Sequence, residues 1–335
     1  MSNQYKAQVH FVNVHPGDCT IIKHASGHVS MIDICDGNIE TYSESVYLPP
    51  SLKGSEVSGN YGMCNCNSNS VDYFLSLDIG NIFRFILTHP DMDHLDGFNR
   101  LLDEVTVVNF WDSTLRREKP SFEGGPFLEE DWDRYENVIA GKEGNVKVVT
   151  PLADSKFKYA NQAEDGTSGG DGLYILAPNS NLLNDANKSD DINDGSYVLL
   201  YKSIGGNILI CGDAHDKTFE YIKENHLNDV QDIAVLLAPH HGRDSDRSYD
   251  FLDFIKPKLT VIGCAPSEYI DYGQWTRRGL TKITSNQAGN IVLEITDSQI
   301  DVFVENEKFA LDSSKDGSLV VNDQGYFGIW SISKS

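Results

Sequence analysis

Four side chains able to bind a metal ion fall within six residues of this chain: His89, Asp91, Asp93 and His94, in the run Thr88-His89-Pro90-Asp91-Met92-Asp93-His94. All four offer nitrogen or oxygen, and no cysteine competes nearby, a donor set that suits zinc, iron or manganese. Alternate residues of an extended loop point the same way, so His89, Asp91 and Asp93 are expected to share a face while adjacent His94 points elsewhere. That pattern predicts two metal ions rather than one. Asp213, in Cys211-Gly212-Asp213-Ala214, has the form of a carboxylate bridging two cations, with a glycine permitting tight approach, although Gly-Asp alone is also a common turn. Pro239-His240-His241-Gly242 supplies two further imidazoles.

Each of these groups follows a strand-like apolar run. Phe83 to Leu87 precedes the first group, Asn207 to Ile210 the second and Asp232 to Leu237 the third. Proline halts the run in two cases, and Asp96-Gly97 followed by Phe98 to Leu102 reads as the start of a helix. Rigid strands that end in ligand-bearing loops can aim side chains at one point. Further strands are expected at 9–14, 19–23, 30–34, 105–110, 146–150, 197–201 and 259–264, and helices at 71–77, 129–139, 217–224 and 248–255. Polar stretches at 36–70 and 160–195 read as inserted loops. Residues 1–298 are expected to form the main domain and 299–335 a short β-rich C-terminal extension, with strands at 300–304, 309–311 and 318–321.

His-Pro-Asp-Met-Asp-His resembles the His-x-His-x-Asp-His signature of metallo-β-lactamase-fold hydrolases, and most of all the His-x-Asp-x-Asp-His version in the soluble domain of ComEC-type competence proteins. Val12-Asn13-Val14-His15-Pro16-Gly17-Asp18 is similar to that family's Asp-Val-Gly-Gln-Gly-Asp element in its apolar frame and Gly-Asp pair. Pro239-His240-His241-Gly242 matches its Pro-His-His-Gly, and the likeness extends over roughly residues 9–295. The resemblance implies an α/β protein built as a four-layer αββα sandwich of two mixed sheets, with metals at one edge. It implies metal ligation by His89, Asp91, Asp93, His94, Asp213 and His240. His240 is preferred over His241 because it lies nearer the strand. Catalytic roles fall to Asp93, Asp213 and His241, with Asp33 supporting the site from behind. Asn193 and Ser196, in an Asn-x-x-Ser element, are expected to bind substrate, and Asn193 or Asp194 stands near where the wider superfamily has a histidine ligand. Arg243 is a candidate phosphate anchor, and a solvent-facing arginine is the competing reading. His15 and His215 are read as turn and helix-start residues. Asp91 in place of the superfamily's second histidine makes the site harder, which sets manganese level with zinc.

The chain has 335 residues with 27 basic against 50 acidic side chains, a formal charge of −23. Phosphate-tracking grooves depend on Lys and Arg, so this balance argues against long duplex DNA as substrate. It leaves room for phosphate chemistry at two divalent cations, which bring positive charge of their own. The N-terminus has no apolar signal core, and no run approaches the ~20 apolar residues of a membrane span. A cytoplasmic protein with six free thiols is therefore expected, and Cys64-x-Cys66 is weak evidence for zinc. The leading expectation is a dinuclear phosphodiesterase or nuclease acting on a nucleotide or single strand, with Zn or Mn as cofactor. The alternatives are an ester, lactone or thioester hydrolase on the same fold and a degenerate metal-binding module. A protein partner could meet the acidic surface or the C-terminal tail.

Overall fold

The ligand-bearing runs become strands because they are buried on both faces, as in Ile233–Leu237, where every residue is buried. The structure, a computed structural model, describes residues 6–39, 60–153, 155, 171–189, 191–265, 269–314 and 317–334. Among these, fifteen strands run in order β1 (Gln8–Phe11), β2 (Thr20–Lys23), β3 (Val29–Ile32), β4 (Ile82–Ile86), β5 (Val107–Trp111), β6 (Lys147–Val149), β7 (Leu173–Ala177), β8 (Val198–Ser203), β9 (Gly206–Ile210), β10 (Ile233–Leu237), β11 (Leu259–Ile262), β12 (Lys282–Thr284), β13 (Ile291–Ile295), β14 (Gln299–Val304) and β15 (Phe327–Ser333). They form a nine-stranded sheet, ordered β15-β14-β13-β1-β2-β3-β4-β5-β6, and a six-stranded sheet, ordered β12-β11-β10-β9-β8-β7.

Both sheets are mixed. The first is antiparallel from β15 to β3 and parallel from β3 to β6. The second is parallel from β12 to β9 and antiparallel from β9 to β7. Val9, Phe11, Ile22, Ile32 and Ile86 of the first meet Leu199, Ile208, Ile210, Val235 and Val261 of the second in one buried cluster. The sheets therefore pack face to face. The outer face of the first sheet buries Phe85 and Phe110 against helices α1 (Ser70–Ser76), α2 (Phe98–Glu104) and α3 (Glu129–Ile139), through Phe74, Phe98 and Trp132. The outer face of the second buries Leu209, Cys211 and Leu236 against α5 (Asp216–Asn225) and α6 (Phe251–Ile255), through Phe219 and Phe251; α4 (Ser180–Ala186) precedes β8. The expected α/β arrangement of two mixed sheets flanked by helices is the one observed.

Residues 299–335 carry β14 and β15, which continue the nine-stranded sheet beyond β13. Two strand assignments there are corrected. Phe309–Leu311 lies in a helix, Glu307–Ser313, because the Asn306 side chain caps it by accepting from the Phe309 amide while Phe309 and Ala310 turn into the core. Val321 makes only an isolated bridge to Phe327, and the pairing strand is Phe327–Ser333. Asn179 likewise caps α4 inside the stretch read as low-complexity loop. The six free thiols are corrected too: Cys64 and Cys264, 200 residues apart in sequence, form a disulfide, leaving Cys19, Cys35, Cys66 and Cys211 free. Residues 40–59, 160–170 and 190, within the two expected insertions, lie outside the described residues.

Candidate metal centre

Parallel pairing brings the three loops together. Leu237 of β10 is in register with Ile210 of β9, so the residues following them leave the second sheet side by side, and β4 delivers its loop from the first sheet. Two glycines permit the contact between loops. A Cβ on Gly17 would sit 1.6 Å from the backbone oxygen of Asp93, so only glycine lets the β1–β2 turn lie against the metal loop. Gly212 has φ +48°, and a Cβ there would sit 2.8 Å from the Thr88 Cβ. His240 and His241 themselves adopt φ of 51° and 54°, a conformation that costs of order 1–3 kcal/mol per non-glycine residue and that surrounding structure must hold. The His240 amide donates to Gly212 O at 2.9 Å, and the buried Arg247 guanidinium donates to the carbonyls of Ala214 and Pro239, clamping both ligand loops.

Asp213 is the centre of the arrangement. Its Oδ2 lies 3.7 Å from His89 Nε2 and 3.6 Å from His240 Nε2. Its Oδ1 lies 3.4 Å from His94 Nε2 and 3.6 Å from His241 Nε2. Asp91 Oδ2 joins the first side, 3.8 Å from His89 Nε2, and Asp93 Oδ2 joins the second, 3.6 Å from His241 Nε2. One carboxylate thus faces His89 and His240 with one oxygen and His94 and His241 with the other, with Asp91 beside His89 and Asp93 beside His241, while His89 and His94 also come together about Asp213.

The other nitrogen of each imidazole lies beside a separate group, hydrogen-bonded at His89, His94 and His240 and ion-paired at His241. His94 Nδ1 lies 2.8 Å from Asp33 Oδ2, and His241 Nδ1 lies 3.2 Å from Asp18 Oδ1. His89 Nδ1 is 3.1 Å from Thr88 Oγ1, which itself donates to Asp33 at 2.7 Å. His240 Nδ1 is 3.2 Å from His215 Nε2, whose Nδ1 is 2.8 Å from Asp191 Oδ2. Partners of this kind on Nδ1 leave Nε2 facing Asp213, the orientation of histidines that bind metals.

Among the described residues, the buried Nε2 atoms of His89, His94 and His241, Nδ1 of His241 and Oδ1 of Asp213 have no hydrogen-bonding partner. Buried polar atoms are rarely left so, and their gathering around the two oxygens of Asp213 fits bound cations. Charge tells the same story. Burial opposes ionisation of Asp213, yet His241, His94 and His89 hold its carboxyl well below the usual range. Burial likewise opposes a charge on His241, and Asp18 and Asp213 override it, pushing the imidazole up to about 10. Burial dominates at His240 and lowers it to about 4, the neutral form a metal requires.

Of the residues expected from sequence, His89, Asp91, Asp93, His94, Asp213, His240 and His241 all converge here. His240 and His241 both face Asp213, one on each oxygen, and His241 also approaches Asp93. Asp33 braces the site as expected, and Asp18, whose only sequence sign is its Gly-Asp turn, braces it from the other end. Asp194 turns toward α5, where its Oδ1 accepts from the Thr218 amide at 3.3 Å and its carbonyl from Thr218 Oγ1 at 2.8 Å. The Asn193 amide donates to Asp191. Ser196 is buried beside the first loop, since the next amide, Tyr197 N, donates to Thr88 O at 3.1 Å. The Arg243 guanidinium lies 5.6 Å from the Tyr269 ring centroid. His215, read as a helix start, caps α5 and also holds His240. Sequence gave no sign of Arg117, which pairs with Asp91 from the 112–128 segment.

No known protein family's sequence profile matches the chain, and no curated protein sequence does. Solved structures with similar folds include Igni18, a metallo hydrolase from the hyperthermophilic archaeon Ignicoccus hospitalis, at 11% identity, TM-score 0.47, covering 86% of this chain and 100% of that one. Tm1679, a metal-dependent hydrolase of the β-lactamase superfamily, is 12% identical with TM-score 0.49 and covers 87% and 100%. A diphosphatase from the PhnP family is 11% identical with TM-score 0.38 and covers 79% and 81%.

Proposed function

We propose that this protein is a metal-dependent hydrolase with a dinuclear zinc or manganese centre, and that it cleaves phosphodiesters of nucleotides or single strands. The observation that carries the reading is Asp213 set between two imidazole pairs, each within 3.4–3.7 Å of one of its oxygens. Two cations held there would supply an activated water and neutralise the phosphoryl oxygens. Asp213 would bridge them, Asp93 would orient the attacking water, and His241, fixed by Asp18, would complete the second ligand group. A guanidinium, Arg117, stands at the mouth of the site, where an anionic substrate gains from bidentate recognition. The acidic surface favours small or single-stranded substrates over duplex DNA. Among the described residues no helix is long and apolar enough to cross a membrane. Metal content of the native protein, followed by turnover of bis-p-nitrophenyl phosphate against a panel of p-nitrophenyl carboxylic esters, tests the reading. Hydrolysis of the phosphodiester with two ions bound supports it. Hydrolysis of the carbon esters alone would move the activity to the ester and lactone class, and cutting of duplex DNA alone would overturn the argument from charge.

A further inference from the structure

Beside the metal centre lies a cavity of about 230 Å3 that the catalytic groups do not fill. Its lining includes Asp91 and Asp93 of the metal loop, Arg117, and the apolar side chains of Met92, Phe122 and Phe127. Phe122 and Phe127 pack on the core beneath the first sheet, and Arg116 makes a bidentate pair with Asp112 at 2.8 and 2.7 Å just before Arg117. The cavity therefore joins three chemistries: the carboxylates of Asp91 and Asp93, one guanidinium and two phenylalanine rings.

We propose that this cavity is the substrate's recognition subsite and that it takes a phosphoester bearing one flat aromatic group, such as a single nucleobase or aryl ring. The proposal rests on the phosphoester reading above and names its substrate class. Arg117 pairs with Asp91 in the protein as seen. A cation bound by Asp91 takes over that charge, leaving the guanidinium's planar fork beside the centre to hold the phosphoryl oxygens. The aromatic group then enters between Arg117 and the phenylalanine walls, where burial of an apolar ring is favourable. The volume lies below that of ordinary drug-sized ligand pockets, roughly 300–1,000 Å3, which suits one ring and excludes a stack of several bases.

Phenylphosphonate and methylphosphonate, which cannot be hydrolysed, test this on the full-length, metal-loaded protein by calorimetric titration. The wild type is expected to prefer the phenyl compound by about tenfold or more, from the burial of one ring. Phe122→Ala should erase that preference while leaving methylphosphonate binding and metal content unchanged, and Phe127→Ala serves as an independent second variant. Arg117→Ala should weaken both phosphonates by a similar factor, on the order of tenfold, with Arg117→Lys between the two. Equal binding of the two compounds by the wild type, or a phenyl preference that survives both phenylalanine variants, overturns the subsite. A wild type that keeps the preference but turns over no phosphodiester refutes the activity and leaves the subsite standing.

Discussion

Replacing Asp213 with asparagine keeps the side chain's shape and removes its charge. Because each oxygen of Asp213 faces a different histidine pair, at 3.7 and 3.6 Å on one side and 3.4 and 3.6 Å on the other, both ions should be lost together. Losing a group that merely orients a ligand weakens metal affinity by about 10–100-fold, so losing a ligand shared by two ions should exceed ~100-fold for each. Asp91→Ala and Asp93→Ala should instead each release one ion, since each carboxylate stands on one side only. Metal content after dialysis, measured by inductively coupled plasma mass spectrometry, should read about two ions per chain for the wild type, one for each single-sided variant and none for Asp213→Asn, as expected of a bridged pair. The metal-free protein gives a second readout. There Asp213 is a buried charge paired with imidazolium, and removing one partner of a buried pair destabilises by about 3–5 kcal/mol. Denaturant unfolding at neutral pH should show that loss. If Asp213→Asn retained both ions, or if Asp91→Ala and Asp93→Ala emptied the site as completely, the bridging geometry would be wrong.

Asp18→Asn should weaken metal binding on the His241 side by about 10–100-fold while the fold stays intact, checked by chelator competition alongside circular dichroism. His10 is buried with Nδ1 3.0 Å from Tyr73 OH, and burial, aided by Lys23, lowers it to about 3. The unfolded chain binds that proton near pH 6.5 and the folded one does not, so this stability is present above 6.5 and lost as pH falls. The stability gap between wild type and His10→Gln should shrink by up to about 1.4 kcal/mol per pH unit below 6.5, read from urea titrations at several pH values. Alkylation of the denatured, unreduced protein should modify Cys19, Cys35, Cys66 and Cys211 but neither Cys64 nor Cys264; six modified thiols by mass spectrometry would refute the disulfide.

The readings that transferred from sequence to structure were local ones. Strand followed by proline and ligands is written within about ten residues at 83–94 and again at 232–241, and burial on both faces leaves an unbroken apolar run that any reader can find. The amphipathic pattern at 129–139 became α3 without change. The misreadings came where distant contacts override the local pattern. Phe309 to Leu311 looks like a strand until Asn306 caps it and the core receives Phe309, and Cys64 looks free until folding brings its Cα within 6.0 Å of Cys264. His215 looked like a helix start, and it is one, yet its second nitrogen meets a histidine 25 residues away.

By itself the sequence determined the chemistry on offer: oxygen and nitrogen donors, an acidic chain, and three strand ends that carry the ligands. Only the tertiary structure decided that His240 and His241 divide between the two oxygens of Asp213, that Asp18, Asp33, Thr88 and His215 each stand beside one imidazole, and that Arg117 pairs with Asp91. Donor type is a property of single residues. The partition of donors depends on the register of parallel strands and the packing of two sheets, which join residues hundreds of positions apart.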